Sequence, residues 1–170
     1  MNQKKPIHNA KRKHIHPEYD VLYDWLYATG SLTQQLTQLG QGQFHVEPKQ
    51  SYFQRPTRQD TVFLQVSHQH TAWFREVLLY GSENMPWVKA RSIFPIMGLQ
   101  KKARIFKTLG QKPIGHFLFQ RTTPLCERRV FLTEHGWARQ SRYTWHGYNF
   151  MVEEIFLPSF VGFLKQKNLG

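Results

Sequence analysis

The chain has a single cysteine, Cys126. That excludes an internal disulfide and a cysteine-built zinc site, and it fits a reducing compartment, so a cytoplasmic location is expected. No run of about 18 apolar residues occurs, and no membrane span is expected. The first residues are basic, yet no apolar stretch follows them, which is not the pattern of a secretory signal. There is no G-x-S-x-G elbow, no Walker loop and no Rossmann glycine fingerprint, so the common hydrolase and nucleotide-binding signatures are missing. Histidines are present, but none falls at metal-ligand spacing with acidic partners. His68 and His70 lie in a polar segment with no third ligand near, and His14 and His16 lie in a charged arm, so no metal is expected. Acids are also scarce: 11 Asp and Glu against 23 Lys and Arg give a net charge of +12.

What is there fits one domain. A chain of 170 residues can bury a core of ordinary size. Residues 1–16 hold Lys4, Lys5, Lys11, Arg12 and Lys13 with few apolar residues, and read as a basic, disordered arm. Such an arm is either solvated or a contact for nucleic acid. Residues 17–170 form the folded domain, whose own positive charge favours an anionic ligand.

Pro17 suits the first turn of a helix in which Leu22, Trp25 and Leu26 form an apolar stripe, closed by Gly30. Ser31 caps a second, with Leu32, Leu36 and Leu39 on one face and Gly40 at its end. Strand pattern follows from Phe44 to Gln54, where Pro48 marks an edge or a bulge. Residues 55–60 read as a loop, and the run at 62–66 fits either helix or strand. Residues 73–95 read as a hairpin turning at Gly81–Met85. A helix is expected over Gly98–Leu109, and another element begins at Pro113. Strands then run over Cys126–Thr133, Trp137–Trp145 and Phe150–Pro158, the last pair joined at His146–Asn149. Helices come early and mid-chain, strands follow one another, and no βαβ rhythm occurs. The fold class is α+β with an antiparallel sheet.

Two strands carry a charge where a core strand should have none. In the first hairpin arm Trp73, Arg75, Val77 and Leu79 share a face, opposite Phe74, Glu76, Leu78 and Tyr80. In the last strand Phe150, Val152, Glu154 and Phe156 alternate with Met151, Glu153, Ile155 and Leu157. An unpaired buried charge costs several kcal/mol, on the order of the penalty for a desolvated ion. Alternation does not tell Glu153 from Glu154, and a structural ion pair between central strands is one account of Arg75 and such an acid. The other is an arginine gripping a ligand carboxylate and a glutamate handling a proton.

Three blocks, WFREVLLYGSENMPWVKARSIFP, LGQKPIGHFLF and WARQSRYTWHGYNFMVEEIFLP, resemble the chorismate lyase family in the same order and at similar spacing. With DWLYATGSLTQQLTQLG before them, the similarity spans about residues 20 to 160. It implies a single α+β domain, a six-stranded antiparallel sheet with helices packed on it and helical flaps over an enclosed ligand site. It also assigns residues. Arg75 falls on the family's substrate-carboxylate arginine, and Glu154 on the acid facing the ring hydroxyl. Ile114 matches a position, Leu in the family, whose backbone helps hold the carboxylate. Leu32 matches a flap position that is Met there. Arg91 matches another arginine of the block and is assigned a supporting role in substrate binding. The basic arm has no counterpart in the resemblance.

The implied activity is elimination of pyruvate from chorismate to give 4-hydroxybenzoate, towards ubiquinone, by a monomer without cofactor. Loss of the ring C4 proton and cleavage of the enolpyruvyl ether make the ring aromatic, which supplies the driving force. Two other classes stay in view. One is a non-catalytic domain of the same fold that binds aromatic carboxylates, as in ligand-sensing domains of transcription regulators. Those follow a helix-turn-helix domain, which the short basic segment before Pro17 does not supply. The other is a basic nucleic-acid module, against which the aromatics stand in strand rows at core spacing.

Overall fold

The computed structural model describes residues 16–97, 108, 111–112 and 124–168. Among these, six strands form one antiparallel sheet in the order β1-β2-β3-β6-β5-β4. They are β1 (His45–Gln54), β2 (Ala72–Tyr80), β3 (Pro86–Pro95), β4 (Leu125–Thr133), β5 (Gly136–Trp145) and β6 (Tyr148–Phe156). Each half is a three-stranded meander, and the halves join where β3 pairs with β6. Four described helices accompany the sheet: α1 (Pro17–Tyr27), α2 (Leu32–Leu39), α3 (Arg58–Leu64) and α4 (Pro158–Asn168). This is the α+β domain with a six-stranded antiparallel sheet expected from the sequence. The helix expected over Gly98–Leu109, and the element starting at Pro113, lie outside the described residues.

β1 is an edge strand whose register shifts between Pro48 and Gln50, because proline cannot donate to the ladder. Ser31 caps α2 as expected, its hydroxyl accepting from Gln34 N at 3.2 Å. α1 stops at Tyr27, ahead of Gly30. Its terminal carbonyls are satisfied by arginines reaching from the sheet, so a glycine cap is not what ends it. The segment read as a loop starts α3 at Arg58. Thr57 Oγ1 accepts from Asp60 N at 3.1 Å while the Asp60 carboxylate accepts from Thr57 N at 3.3 Å, a reciprocal cap. β6 begins at Tyr148, since a two-residue turn with positive φ at His146 and Gly147 suffices to join it to β5. It ends at Phe156, and Pro158 opens α4, which the sequence reading lacks.

The register divides the sheet into two chemically distinct faces. Arg75, Ser92, Val152, Ser141 and Arg128 are successive cross-strand partners and form one row on one face. On the same face an apolar cluster joins Leu22, Leu26, Leu32 and Leu36 to Val77, Ala90, Phe156 and Phe160. A second cluster of Trp73, Phe94, Tyr143, Phe150 and Val152 occupies the other end of that face. The opposite face carries Phe74, Ile93 and Met151, packed on Phe63 and Leu64 of α3.

Candidate active site

The polar row runs between two apolar clusters; of the charged groups of the sequence reading Arg75 lies in it, Glu154 lies beside it on the same face, and Arg91 lies on the other face. Arg75 and Glu154 lie on one face, two strands apart and two residues out of line. Strand spacing and rise put their Cα atoms about 12 Å apart.

Arg75 is 6% exposed, and burial lowers its guanidinium from the ordinary value; an arginine stays charged nonetheless. Its Nη2 donates to the carbonyl of Lys112 at 3.1 Å. Ile114 itself lies outside the described residues. Leu32, the first residue of α2, is buried in the cluster with Val77 and Ala90, on the same side of the sheet.

The ion pair between Arg75 and Glu154 that the pattern allowed does not form. Glu154 Oε2 accepts from Arg139 Nε at 2.5 Å. Arg139 is 2% exposed, and its Nη1 also donates to Trp25 O at 2.6 Å and Ala28 O at 3.2 Å. One buried guanidinium therefore joins the acid of the site to the end of α1. Arg128 donates through Nη1 to Ala28 O and through Nε to Ser141 Oγ at 2.9 Å. Burial, with the Glu154 charge second, pushes the Tyr143 phenol above its ordinary value, so it presents a neutral hydroxyl beside these groups. The sequence reading missed Arg139, Arg128 and Tyr143. The signal was available: Arg139, Ser141 and Tyr143 share a face in the alternation of β5, and Arg139 sits opposite Glu154.

Arg91 is placed elsewhere. It lies directly across from Glu76 and Glu153 on the opposite face of the sheet. Its Nη2 pairs with Asp60 Oδ1 and Glu153 Oε2, both at 3.2 Å, and Glu153 also accepts from Gln140 Nε2 at 2.6 Å. The sheet thus separates Arg91 from Arg75 and Glu154. A surface cleft of about 430 Å³ near α1, α2 and α4, lined by Asp24, Trp25, Gln35, Gln38, Leu39 and Lys167, contains none of these site residues.

Comparison with known proteins bears on the family and the fold. Residues 11–165 match the family model described as chorismate lyase. A "probable chorismate pyruvate-lyase" of Acinetobacter baumannii is 56% identical over 168 residues, 99% of this chain and 97% of that protein. One of the same name from Acinetobacter baylyi is 56% identical over 163 residues, 96% of each chain. In three dimensions the chain resembles the effector domain of PhnF from Mycobacterium smegmatis, with a TM-score of 0.54 over 76% of this chain and 90% of that one. At 10% identity that likeness concerns the fold alone. On the family match over most of its length, the chain belongs to the chorismate lyase family.

Proposed function

We propose that the chain is a chorismate pyruvate-lyase, a carbon–oxygen lyase that eliminates pyruvate from chorismate and releases 4-hydroxybenzoate, a precursor on the way to ubiquinone. The 56% identity over 99% of the chain with a protein of that name carries this reading. The regulator-like alternative has a likeness of fold at 10% identity behind it, and the enzyme reading has the sequence.

In this reading Arg75 anchors the ring carboxylate, for which a buried guanidinium offers two parallel donors. Glu154 accepts a hydrogen bond from the ring C4 hydroxyl or takes the ring proton. Arg139 fixes its Oε2, leaving Oε1 as the oxygen directed to substrate. The C4–H bond and the C3–ether bond break, the ring becomes aromatic, and the released enolpyruvate takes up a proton to become pyruvate. No oxidant or reductant enters this balance, so orientation and charge placement are the protein's contribution. Leu32 contributes an apolar wall, Ile114, outside the described residues, keeps the carboxylate-binding role that the resemblance implies, and residues 17–170 constitute the catalytic domain. We place the enzyme in the cytoplasm, where a chain with a single cysteine fits a reducing compartment, and as a monomer, as the resemblance implies. No helix among the described residues is long and apolar enough to cross a membrane.

Purified protein given chorismate and no added metal forms 4-hydroxybenzoate and pyruvate in equal amounts. Product no faster than the spontaneous rate would remove the assignment.

A further inference from the structure

On the covered face, the strand residues in register carry Arg75, Arg128 and Arg139 against Glu154, a net charge of +2. Lys49, in the β1 bulge, pairs with Glu47 and does not enter this balance. Chorismate is a dianion, with one carboxylate on the ring and one on the enolpyruvyl group at C3. Arg75 accounts for the ring carboxylate and Arg139 is matched by Glu154. Among the described strand residues of this face, Arg128 is the cation left over.

Its place fits the second carboxylate. Arg75 and Arg128 lie in the same cross-strand row, and Glu154 stands between them, two strands and two residues from each. By strand spacing each lies about 12 Å from Glu154, Cα to Cα. A ring with its C1 carboxylate on Arg75 and its C4 hydroxyl at Glu154 has C3 next to C4, so the enolpyruvyl group starts beside Glu154. If it turns toward β4, its carboxylate meets Arg128. The guanidinium is half-buried and held: Nε on Ser141 and Nη1 on Ala28 O. These bonds use two of its five N–H donors, leaving others for a ligand. Tyr143 adjoins it as a hydrogen-bonding neighbour. The nearby acid Glu127 pairs with Arg129 and Arg142 and does not neutralise Arg128.

We propose that Arg128, with the Tyr143 hydroxyl beside it, is the subsite for the enolpyruvyl carboxylate of the substrate. The proposal rests on the lyase reading. It also explains how one pocket tells substrate from product: 4-hydroxybenzoate retains the carboxylate on Arg75 and lacks the one on Arg128.

The test uses two ligands on the full-length protein, 4-hydroxybenzoate and 3-(carboxymethoxy)-4-hydroxybenzoate, an unreactive aromatic analogue keeping both carboxylates. Arg128→Gln should weaken the dicarboxylate about tenfold or more, the loss of one charged hydrogen-bonded contact, and leave 4-hydroxybenzoate at its wild-type affinity. KM for chorismate should rise in parallel with the dicarboxylate Kd. Arg75→Gln should weaken both ligands alike. Equal losses for both ligands in Arg128→Gln, or no loss for either, would overturn the subsite while wild-type turnover of chorismate keeps the lyase reading intact. Failure of the wild-type protein to turn over chorismate would remove the reading itself. If Arg128→Gln does not fold, Arg128→Lys keeps the charge without the planar fork, and the same ratio of the two affinities decides.

Discussion

Arg139 and Glu154 sit directly opposite each other on β5 and β6, and their side chains meet at 2.5 Å while the same guanidinium holds two carbonyls at the end of α1. Removing the cation strands a largely buried carboxylate and the Trp25 carbonyl, while Ala28 O keeps its bond from Arg128. Arg139→Met should therefore lower the free energy of unfolding by about 3 kcal/mol, read from a denaturant titration, and slow turnover as Glu154 loses its anchor. Arg139→Lys should recover part of the stability. A Met variant as stable as wild type would mean that this contact does not hold the site to α1.

Arg75 and Glu154 should differ in what they do to kinetics. Arg75→Ala removes the cation that binds a carboxylate present in both substrate and product, so KM and the product inhibition constant should rise together. Glu154→Gln keeps shape and a hydrogen-bonding group but removes the acceptor charge, so kcat should fall with little change in KM. Unchanged kinetics in both variants would place the reaction on some other part of the sheet.

Alternation marked Arg75 and the acids of the last strand, because a charge in an apolar strand row stands out against its neighbours, but it did not tell Glu154 from Glu153; the family resemblance selected Glu154. The same rule could not say which strands adjoin. β6 follows β5 in the chain but pairs with β3 as well, and that long-range pairing brings Arg75 and Glu154 onto one face, while the β2–β3 register sets Arg91 across from Glu76 on the other. Arg139 was passed over since its strand alternates polar and aromatic residues, among which one more arginine is unremarkable. α3 was hidden by its polar first turn, although Thr57 and Asp60 have capping-box spacing. α4 was overlooked because the strand before it was extended through Pro158, which opens the helix.

The opposite face supplies a pH test. Burial works to raise the Glu76 carboxyl, but hydrogen bonds from Gln50 and Tyr52, with Lys89 and Arg91 nearby, bring it below its ordinary value. A depressed carboxyl contributes stability that is fully present above its unfolded pKa of about 4.3 and is lost as pH falls through the lower folded value. Glu76→Gln should flatten that acid decline in the unfolding midpoint and leave KM alone. An identical acid limb in the variant would show that other carboxylates govern it.

Arg91 should behave as a structural residue. Its partners Asp60 and Glu153 have side chains 4% and 13% exposed, so Arg91→Met leaves two acids nearly buried without their cation. The expected loss is about 3 kcal/mol of stability, with KM for chorismate at the wild-type value. A raised KM at unchanged stability would return Arg91 to a role in binding substrate.

Gly81 follows the last residue of β2, at the start of the β2–β3 connection, and a Cβ there would fall 2.0 Å from two ring carbons of Trp87. The neighbour has nowhere to go. Trp87 is fully buried, packs on Phe160 and Phe163 of α4 with ring centroids 5.4 and 4.6 Å away, and donates from its indole to Glu83 at 3.3 Å. Gly81→Ala must therefore displace the indole or the connection, at a cost of about 1–3 kcal/mol for overpacking a core. For a domain of this size that is a drop of several degrees, on the order of 3–10 °C, in the calorimetric midpoint. Indole fluorescence should shift with it, since Trp87 moves from its fixed surroundings. A midpoint at the wild-type value would mean that the connection can reshape freely, and that the close approach of Gly81 to Trp87 is not what requires glycine there.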